Sequence, residues 1–270
     1  MVSSDNANKS DNFSREIDIG QINVNKSDDF SREIEVGQIN VNKSDNFSFF
    51  CLENRGDEGK GKLVDLLAEK ADVVARCQGG NNAGHTVVAN SVSYAFHLLP
   101  SGLVHPNAKA VLGNGVVIHI EEFLDEIAKN EAKGLAKITP DRLKISDRAH
   151  MVFQLHRVAD QMQEEQRKNN KEMLGTTKKG IGPCYSSKAS RSGLRMCDLI
   201  ASDFQNRFVE KFKRLASDHE RAYGTQVDVE AEVSKYKELS EKIKPYVTET
   251  VSYMHKVLEA GEKVLVEGAK

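Results

Sequence analysis

The sequence predicts an α/β fold, in which a largely parallel central sheet carries flanking helices and glycine-rich phosphate loops, here as part of a domain. Three observations predict it. First, a short apolar run at 49–52 precedes a glycine-rich loop at 54–62. Second, the stretch after this loop places Leu63, Leu66 and Leu67 on one helical face. Third, apolar runs alternate with amphipathic stretches through the rest of the chain. In such sheets, functional loops lie at the carboxyl ends of the strands.

The remaining predicted elements follow that alternation. The predicted strands are 71–77, 110–118 with a Gly-Asn-Gly bend, and 263–268. The predicted helices are 121–134, ending at Gly134, then 150–174, two amphipathic segments at 204–215 and 233–243, and a last helix to about 259 after Pro245. We expect the apolar faces of these helices to pack in the core.

The N-terminal segment is repetitive. NKSDNFSREIDIGQINV at 8–24 returns as NKSDDFSREIEVGQINV at 25–41, and a third copy begins at 42–48. Alternating apolar residues allow a small β-stack, in which case the repeats would serve as an interaction module. Asn, Ser and Asp dominate, however, and so few copies bury little apolar surface, which favours disorder. We therefore assign residues 1–48 to a repetitive tail and residues 49–270 to the domain.

Composition excludes several classes of function. The 38 basic and 40 acidic residues nearly cancel, so charge gives no indication of nucleic acid or an anionic membrane as partner. No apolar stretch approaches the ~18 residues of a membrane span, and the N-terminus lacks the apolar segment of a signal peptide. The four cysteines show no metal-ligand spacing. We expect a soluble, cytoplasmic protein with reduced thiols.

The loop at 54–62, which we call the first glycine loop, holds an unexpected carboxylate. Counted from Gly56 it fits the spacing G-x4-G-K, but Leu63 follows where a P-loop needs Ser or Thr to bind magnesium, so an ordinary P-loop NTPase is a poor match. Asp57 could bind a divalent cation or take a proton from a substrate, with Lys60 countering negative charge. The alternative is that Asp57 only caps the following helix.

The second glycine loop, QGGNNAGHT at 78–86, adds groups suited to proton transfer and ligand binding. Asn81 and Asn82 provide amides, Gly84 permits close backbone approach, and His85 provides an imidazole, which exchanges protons near neutral pH. A lone histidine is often structural, but the small and amide neighbours favour a functional role here. We interpret the other histidines as structural: His97, His105, His119, His150, His156, His219 and His255.

GDEGKGK followed by QGGNNAGHT resembles the adenylosuccinate synthetase family. The resemblance extends through FHLLPSGL, LGNGVV, GTTKKGIGPCYSSKASRSGLR and VLVEGA, and covers nearly all of the chain from Gly56 to Ala269. It implies a GTP- and Mg²⁺-dependent ligase that joins IMP to L-aspartate through 6-phosphoryl-IMP, in the first committed step from IMP to AMP. It also implies one Mg²⁺ per active site and a homodimer in which Arg191 reaches the neighbouring subunit's IMP site.

The resemblance further implies roles for individual residues. Asp57 is the base, His85 the acid, Lys60 a further catalytic residue, and Asp57 and Gly84 are the metal ligands. The implied GTP contacts are Gly56, Asp57, Glu58, Gly59, Lys60, Gly61, Lys62, Gly84, His85 and Thr86. The implied IMP contacts are Asp57, Glu58, Gly59, Lys60, Asn82, Ala83, Gly84, His85, Thr177 and Arg191. On this interpretation the first glycine loop carries an acid because it serves two substrates.

The sequence departs from the family pattern at two places. CLENR at 51–55 stands where the family carries a glycine- and tryptophan-bearing segment, and the chain has no Trp, so we expect this first strand to form poorly or out of register. Lys270 replaces an amide residue expected to contact IMP, and the family's long following segment is missing. We expect the 270-residue chain alone to be inactive or barely active. The alternative is a nucleotide-binding remnant without catalysis.

Overall fold

The computed structural model describes residues 35–39, 49–53 and 67–268, with gaps at 83, 90, 170–174 and 225. The strands are β1 Glu35–Ile39, β2 Phe49–Glu53, β3 Val73–Gly79, β4 His85–Ala89, β5 Val92–Phe96, β6 Lys109–Ile118, β7 Leu143–Ser146, β8 His150–Met151, β9 Val247–Thr248 and β10 Val264–Glu267. The α-helices are α1 Ile120–Ala132, α2 Gln154–Asn169, α3 Ile181–Ala189, α4 Met196–Leu199, α5 Glu210–Tyr223, α6 Val229–Ile243 and α7 Thr250–Glu259. Within these described ranges, no helix has both the length and the apolar character needed to cross a bilayer.

The central sheet has eight strands in the order β1-β2-β10-β3-β6-β7-β9, and β8 pairs with the end of β6. Every neighbouring pair is parallel except β1 with β2. A separate antiparallel hairpin joins β4 to β5. The predicted α/β fold with a largely parallel sheet is therefore confirmed.

The core confirms the predicted apolar helix faces. Phe208 and Phe212 are completely buried and pack with Phe153 and Tyr236, with ring centroids 4.9 to 6.4 Å apart. Each such side chain contributes roughly 1.5–3 kcal/mol through burial. This cluster fixes α2, α5 and α6 relative to one another, and so supports the loops on either side of α2.

The predicted helix at 150–174 begins later than expected. His150 and Met151 instead form strand β8, which pairs with Val117 and Ile118 at the end of β6. Helix α2 starts at Gln154, and within the described residues it runs to Asn169. The residues at 150–153 suit a helix and a buried strand equally. The strand forms because the end of β6, which extends beyond its pairing with β7, offers backbone groups for hydrogen bonding.

Strand β2 contains the described part of the altered segment. It pairs in parallel with β10 in unbroken register, from Phe49 opposite Val264 to Leu52 opposite Glu267. The segment is therefore a strand as far as Glu53, and positions 54 and 55 lie outside the described residues. Strand β1, from the second repeat, pairs along the outer edge of β2. The rest of the tail lies outside the described residues.

Candidate functional site

The candidate site lies at the carboxyl edge of the central sheet. Strand β10 lies between β2 and β3, so their carboxyl ends meet at one place. The second glycine loop begins in the last residues of β3, and β2 ends at Glu53, directly before the first glycine loop in the sequence. Residues 54–66, and with them Asp57 and Lys60, lie outside the described part of the structure.

His85 contacts the last residue of β10. It is the first residue of β4, and its Nδ1 lies 2.8 Å from Oε1 of Glu267. The imidazole is 13% exposed, whereas the carboxylate is 1% exposed. Two motifs separated by 182 positions, the second glycine loop and VLVEGA, therefore meet through one hydrogen bond.

Glu267 is a buried carboxylate with several partners. Its second oxygen, Oε2, accepts hydrogen bonds from the backbone N–H of Ser101 at 2.9 Å and from the Ser101 hydroxyl at 3.2 Å. Burial by itself would raise the pKa of Glu267, but the hydrogen bond and charge of His85, the charge of Arg76 and the Ser101 N–H together lower this pKa below its usual value. The group is therefore an ionised hydrogen-bond acceptor at neutral pH.

Arg76, opposite Glu267 in the β3–β10 register, holds the surrounding backbone. Arg76 is 1% exposed, and its guanidinium donates to four backbone carbonyl oxygens. These are the carbonyls of His97 at 2.6 Å, Leu98 at 3.1 Å, Gly80 at 2.6 Å and Gln78 at 3.3 Å. The arginine thus joins the start of the second glycine loop to the segment 97–98.

A second buried carboxylate, Glu126 of α1, fixes the same segment from the other side. It accepts the backbone N–H groups of residues 97–99 at 2.7 to 3.2 Å. Burial raises the pKa of Glu126, although these three N–H groups act in the opposite direction. The irregular chain between β5 and the turn at Ser101 is therefore held by side chains where no strand partner is available.

A pocket of about 520 Å³ opens beside the second glycine loop. It is lined by Cys77, Gln78, Gly79, Asn82, Gly115, Ile181, Tyr185 and Lys188. The Tyr185 hydroxyl donates to the Gly115 carbonyl at 2.6 Å and accepts from the Gly79 N–H at 2.8 Å, so α3 is tied to the ends of both strands. Of the residues that the resemblance implies for IMP, Asn82 is brought to this pocket.

Glu122 connects the second glycine loop to the third, GTTKKGIGP at 175–183. Its carboxylate accepts a hydrogen bond from the Asn81 side chain and lies 2.7 Å from Nη1 of Arg157 and 3.7 Å from Nζ of Lys179. The backbone of the third glycine loop is also held from α2, by Glu164 at Gly175 and by Asp160 at Gly180. The two loops therefore share a set of rigid supports.

The other predicted contacts that fall within the described residues lie on the surface. Gly84 is exposed, and a Cβ placed there would meet no atom of the described residues within 4 Å. Thr86 and Thr177 are exposed. Arg191 is exposed just beyond α3, with φ of +62°. Ala83 and residues 56–62 lie outside the described part of the chain.

Five charged residues that organise this edge are not identified from the sequence: Glu267, Arg76, Glu122, Glu126 and Lys188. One signal was available, because a charged residue within an apolar strand of a parallel sheet is seldom buried without a partner. Arg76 and Glu267 both stand in such runs. Their pairing still depended on strand order, which the sequence does not state.

Comparisons with known proteins show which family the chain resembles. The adenylosuccinate synthetase family profile matches residues 53–270. The adenylosuccinate synthetases of Drosophila melanogaster and Drosophila erecta are each 55% identical over 215 residues, covering 79% of this chain and 47% of the relative. The structure of fully ligated adenylosuccinate synthetase from Plasmodium falciparum matches with TM-score 0.71 and 40% identity, covering 80% of this chain and 49% of that one. The chain spans about half the length of these relatives, and it belongs to the adenylosuccinate synthetase family.

Proposed function

We propose that the protein catalyses the GTP-dependent ligation of IMP and L-aspartate to adenylosuccinate, with release of GDP and phosphate. It is then a ligase that forms a C–N bond in purine biosynthesis, on the route from IMP to AMP. The observation that carries the proposal is the hydrogen bond of His85 to Glu267, which joins two family motifs at the carboxyl edge of the sheet. Family membership supplies the reaction.

In this reaction Asp57 acts as the base and takes the proton from N1 of IMP. The 6-oxygen of IMP then forms a bond to the γ-phosphorus of GTP while the bond from that phosphorus to the β-phosphate oxygen breaks, and GDP leaves. His85 donates to the transferring phosphate, and Lys60 offsets its negative charge. The amine of aspartate next bonds to C6, the C6–O bond breaks, and phosphate leaves.

Mg²⁺ fits the oxygen donors that we assign to it. The Asp57 carboxylate and the Gly84 carbonyl are hard oxygen ligands of the kind that this ion takes. The space around Gly84 that is free of described atoms leaves room for a hydrated ion. When bound, the ion would screen the charge of the triphosphate. The first glycine loop, with Gly84, His85 and Thr86, would contact GTP.

The pocket beside the second glycine loop suits IMP. Its volume of about 520 Å³ lies in the range of small-molecule sites, and Lys188 gives it a positive charge. Asn82 lines the pocket, and Thr177 lies four positions before the start of α3. Both would contact the nucleotide. Arg191, exposed beyond α3, would reach the IMP site of a second subunit in a homodimer. We assign the protein to the cytoplasm, where purine nucleotides are made.

An assay of adenylosuccinate formation tests the proposal. We would join this chain to the C-terminal half of the Drosophila melanogaster relative and supply IMP, GTP, aspartate and Mg²⁺. The joined chain should turn over, and His85→Asn should lower the rate at least ~100-fold, as loss of a general acid does. His255→Asn is the matched control and should leave the rate unchanged, because His255 is 72% exposed and pairs with Glu259 on the same helix. No product from the joined chain with His85 in place, or full activity of the joined chain with His85→Asn, would refute the proposal.

Nucleotide binding without turnover by the 270-residue chain is a second candidate function. It is favoured because eight described residues of this chain, Lys188 among them, line the 520 Å³ pocket. Calorimetric titration with IMP measures it directly. Binding that is weakened by Lys188→Ala, with no product formed, would support this second function, and no heat of binding would exclude it.

A further inference from the structure

We propose that Glu267 is a positioning residue that fixes the orientation and tautomer of the His85 imidazole. Its contribution to catalysis rests on the proposed function. The contact that suggests it is the 2.8 Å hydrogen bond between Nδ1 of the ring and Oε1 of the carboxylate. An ionised carboxylate only accepts hydrogen bonds, so Nδ1 must carry a proton, and Nε2 faces the ligand, to which it donates once the ring has taken up a second proton.

The carboxylate is itself held firmly enough to serve as an anchor. Oε2 receives two hydrogen bonds from Ser101, one of them from the backbone N–H. The buried guanidinium of Arg76, level with Glu267 on the neighbouring strand, attracts its charge. Strand β10 lies between two parallel partners, so its backbone is also fixed. Glu267 therefore has little freedom to follow a moving imidazole.

The imidazole, in contrast, lies at the end of a two-stranded hairpin outside the central sheet. His85 pairs with Phe96 across the hairpin, but it lies between Gly84 and Thr86, which are both exposed. The ring is accessible at 13%, while its partner is buried at 1%. The hydrogen bond thus transmits the rigidity of the sheet to a ring at the edge of the site. A misplacement of about 1 Å in such a group can cost about 100-fold in rate.

The hydrogen bonds around Glu267 predict a change of the His85 tautomer in Glu267→Gln. The Ser101 N–H is a fixed donor, so the amide oxygen of Gln must take the position of Oε2. The NH₂ group then faces Nδ1 and can only donate. The ring must therefore give up its Nδ1 proton and carry the proton on Nε2. The substitution keeps shape and volume but inverts the tautomer.

Long-range ¹H–¹⁵N spectra of the histidine-labelled 270-residue chain test this inference without any turnover. We expect the Nδ1–H form for His85 in the parent chain and the Nε2–H form in Glu267→Gln. Glu262→Gln is the matched control, since Glu262 pairs with Lys109 at the surface five positions earlier and should leave the spectrum of His85 unchanged. An Nδ1–H form retained in Glu267→Gln would overturn the proposal.

A kinetic measurement on the joined chain then tests the consequence for catalysis. Glu267→Ala should lower kcat about 100-fold with the KM for IMP changed less than about twofold, and Glu267→Gln should recover part of the loss because it still anchors the ring. Equal kcat in all three chains would overturn the positioning role. If the parent joined chain makes no adenylosuccinate, the proposed function fails, while the spectra still decide whether Glu267 sets the tautomer.

Discussion

Arg76→Met should be the most destabilising substitution at the carboxyl edge. The change keeps a long apolar side chain but removes the buried charge and its hydrogen bonds to the carbonyls of residues 78, 80, 97 and 98. The hydrogen bonds to the carbonyls of residues 80 and 98 are buried, and the other two are partly buried. Burial already lowers the pKa of Arg76, and the charges of Glu267 and Glu126 oppose that effect.

The expected cost follows from burial. A hydrogen bond to a charged group contributes about 1.5–3 kcal/mol, and removing one partner from a buried charged network costs about 3–5 kcal/mol. We therefore expect Arg76→Met to lose about 4 kcal/mol of unfolding free energy. That is a large part of the 5–15 kcal/mol typical of a folded domain.

Arg142→Met supplies a matched comparison. Arg142 also donates four hydrogen bonds to carbonyl oxygens, those of Ala136, Lys137, Leu103 and His105, at 2.8 to 3.2 Å. It is only half-buried, so water can replace the lost donor, and the expected cost is about 1–2 kcal/mol. Urea unfolding followed by circular dichroism measures both. Equal costs for the two variants would refute the reasoning, because burial would then play no part.

Two further predictions concern the fold. Burial, together with Lys188 and Arg195, lowers the pKa of His150 from 6.5 to about 4, so only the unfolded chain takes up this proton as pH falls from 6.5. The stability present above pH 6.5 should fall by about 3 kcal/mol on the way to pH 4, and urea unfolding of His150→Asn should show a flatter pH dependence. Gly115→Ala should destabilise by about 3 kcal/mol, because its Cβ would collide with the Cys77 carbonyl. Gly182→Ala meets no described atom within 4 Å and should be neutral in the same urea unfolding.

The sequence predicted the local elements well and their neighbours poorly. Apolar runs and amphipathic spacing located β3, β6, α1 and α7, because these depend on residues close together in the chain. The position of β10 between β2 and β3 depends on pairing across about two hundred residues, which no local pattern encodes. For this reason His85 was identified as a functional candidate, while its partner Glu267 was not.

The start of α2 shows the same limit on a smaller scale. His150 and Met151 satisfy a helical pattern with the residues that follow them, yet they form a strand because Val117 and Ile118 offer unpaired backbone groups. Strand β2 depends on long-range pairing as well. It is paired along both edges, with β1 and with β10, and the local pattern at 49–53 identifies neither partner.

Three buried charges at one edge of a sheet need a reason, since apolar residues of similar size often give more stability than a buried ion pair. The reason lies in the irregular segment 97–101, whose backbone groups have no strand partner. Glu126 accepts from three consecutive N–H groups, Arg76 donates to two carbonyls of the segment and two of the second glycine loop, and Glu267 binds Ser101. A single charged group can satisfy several backbone groups at once, which no apolar residue can do. The edge that presents His85 is therefore rigid without regular secondary structure, and weakening any of the three charges should lower stability and loosen the imidazole together.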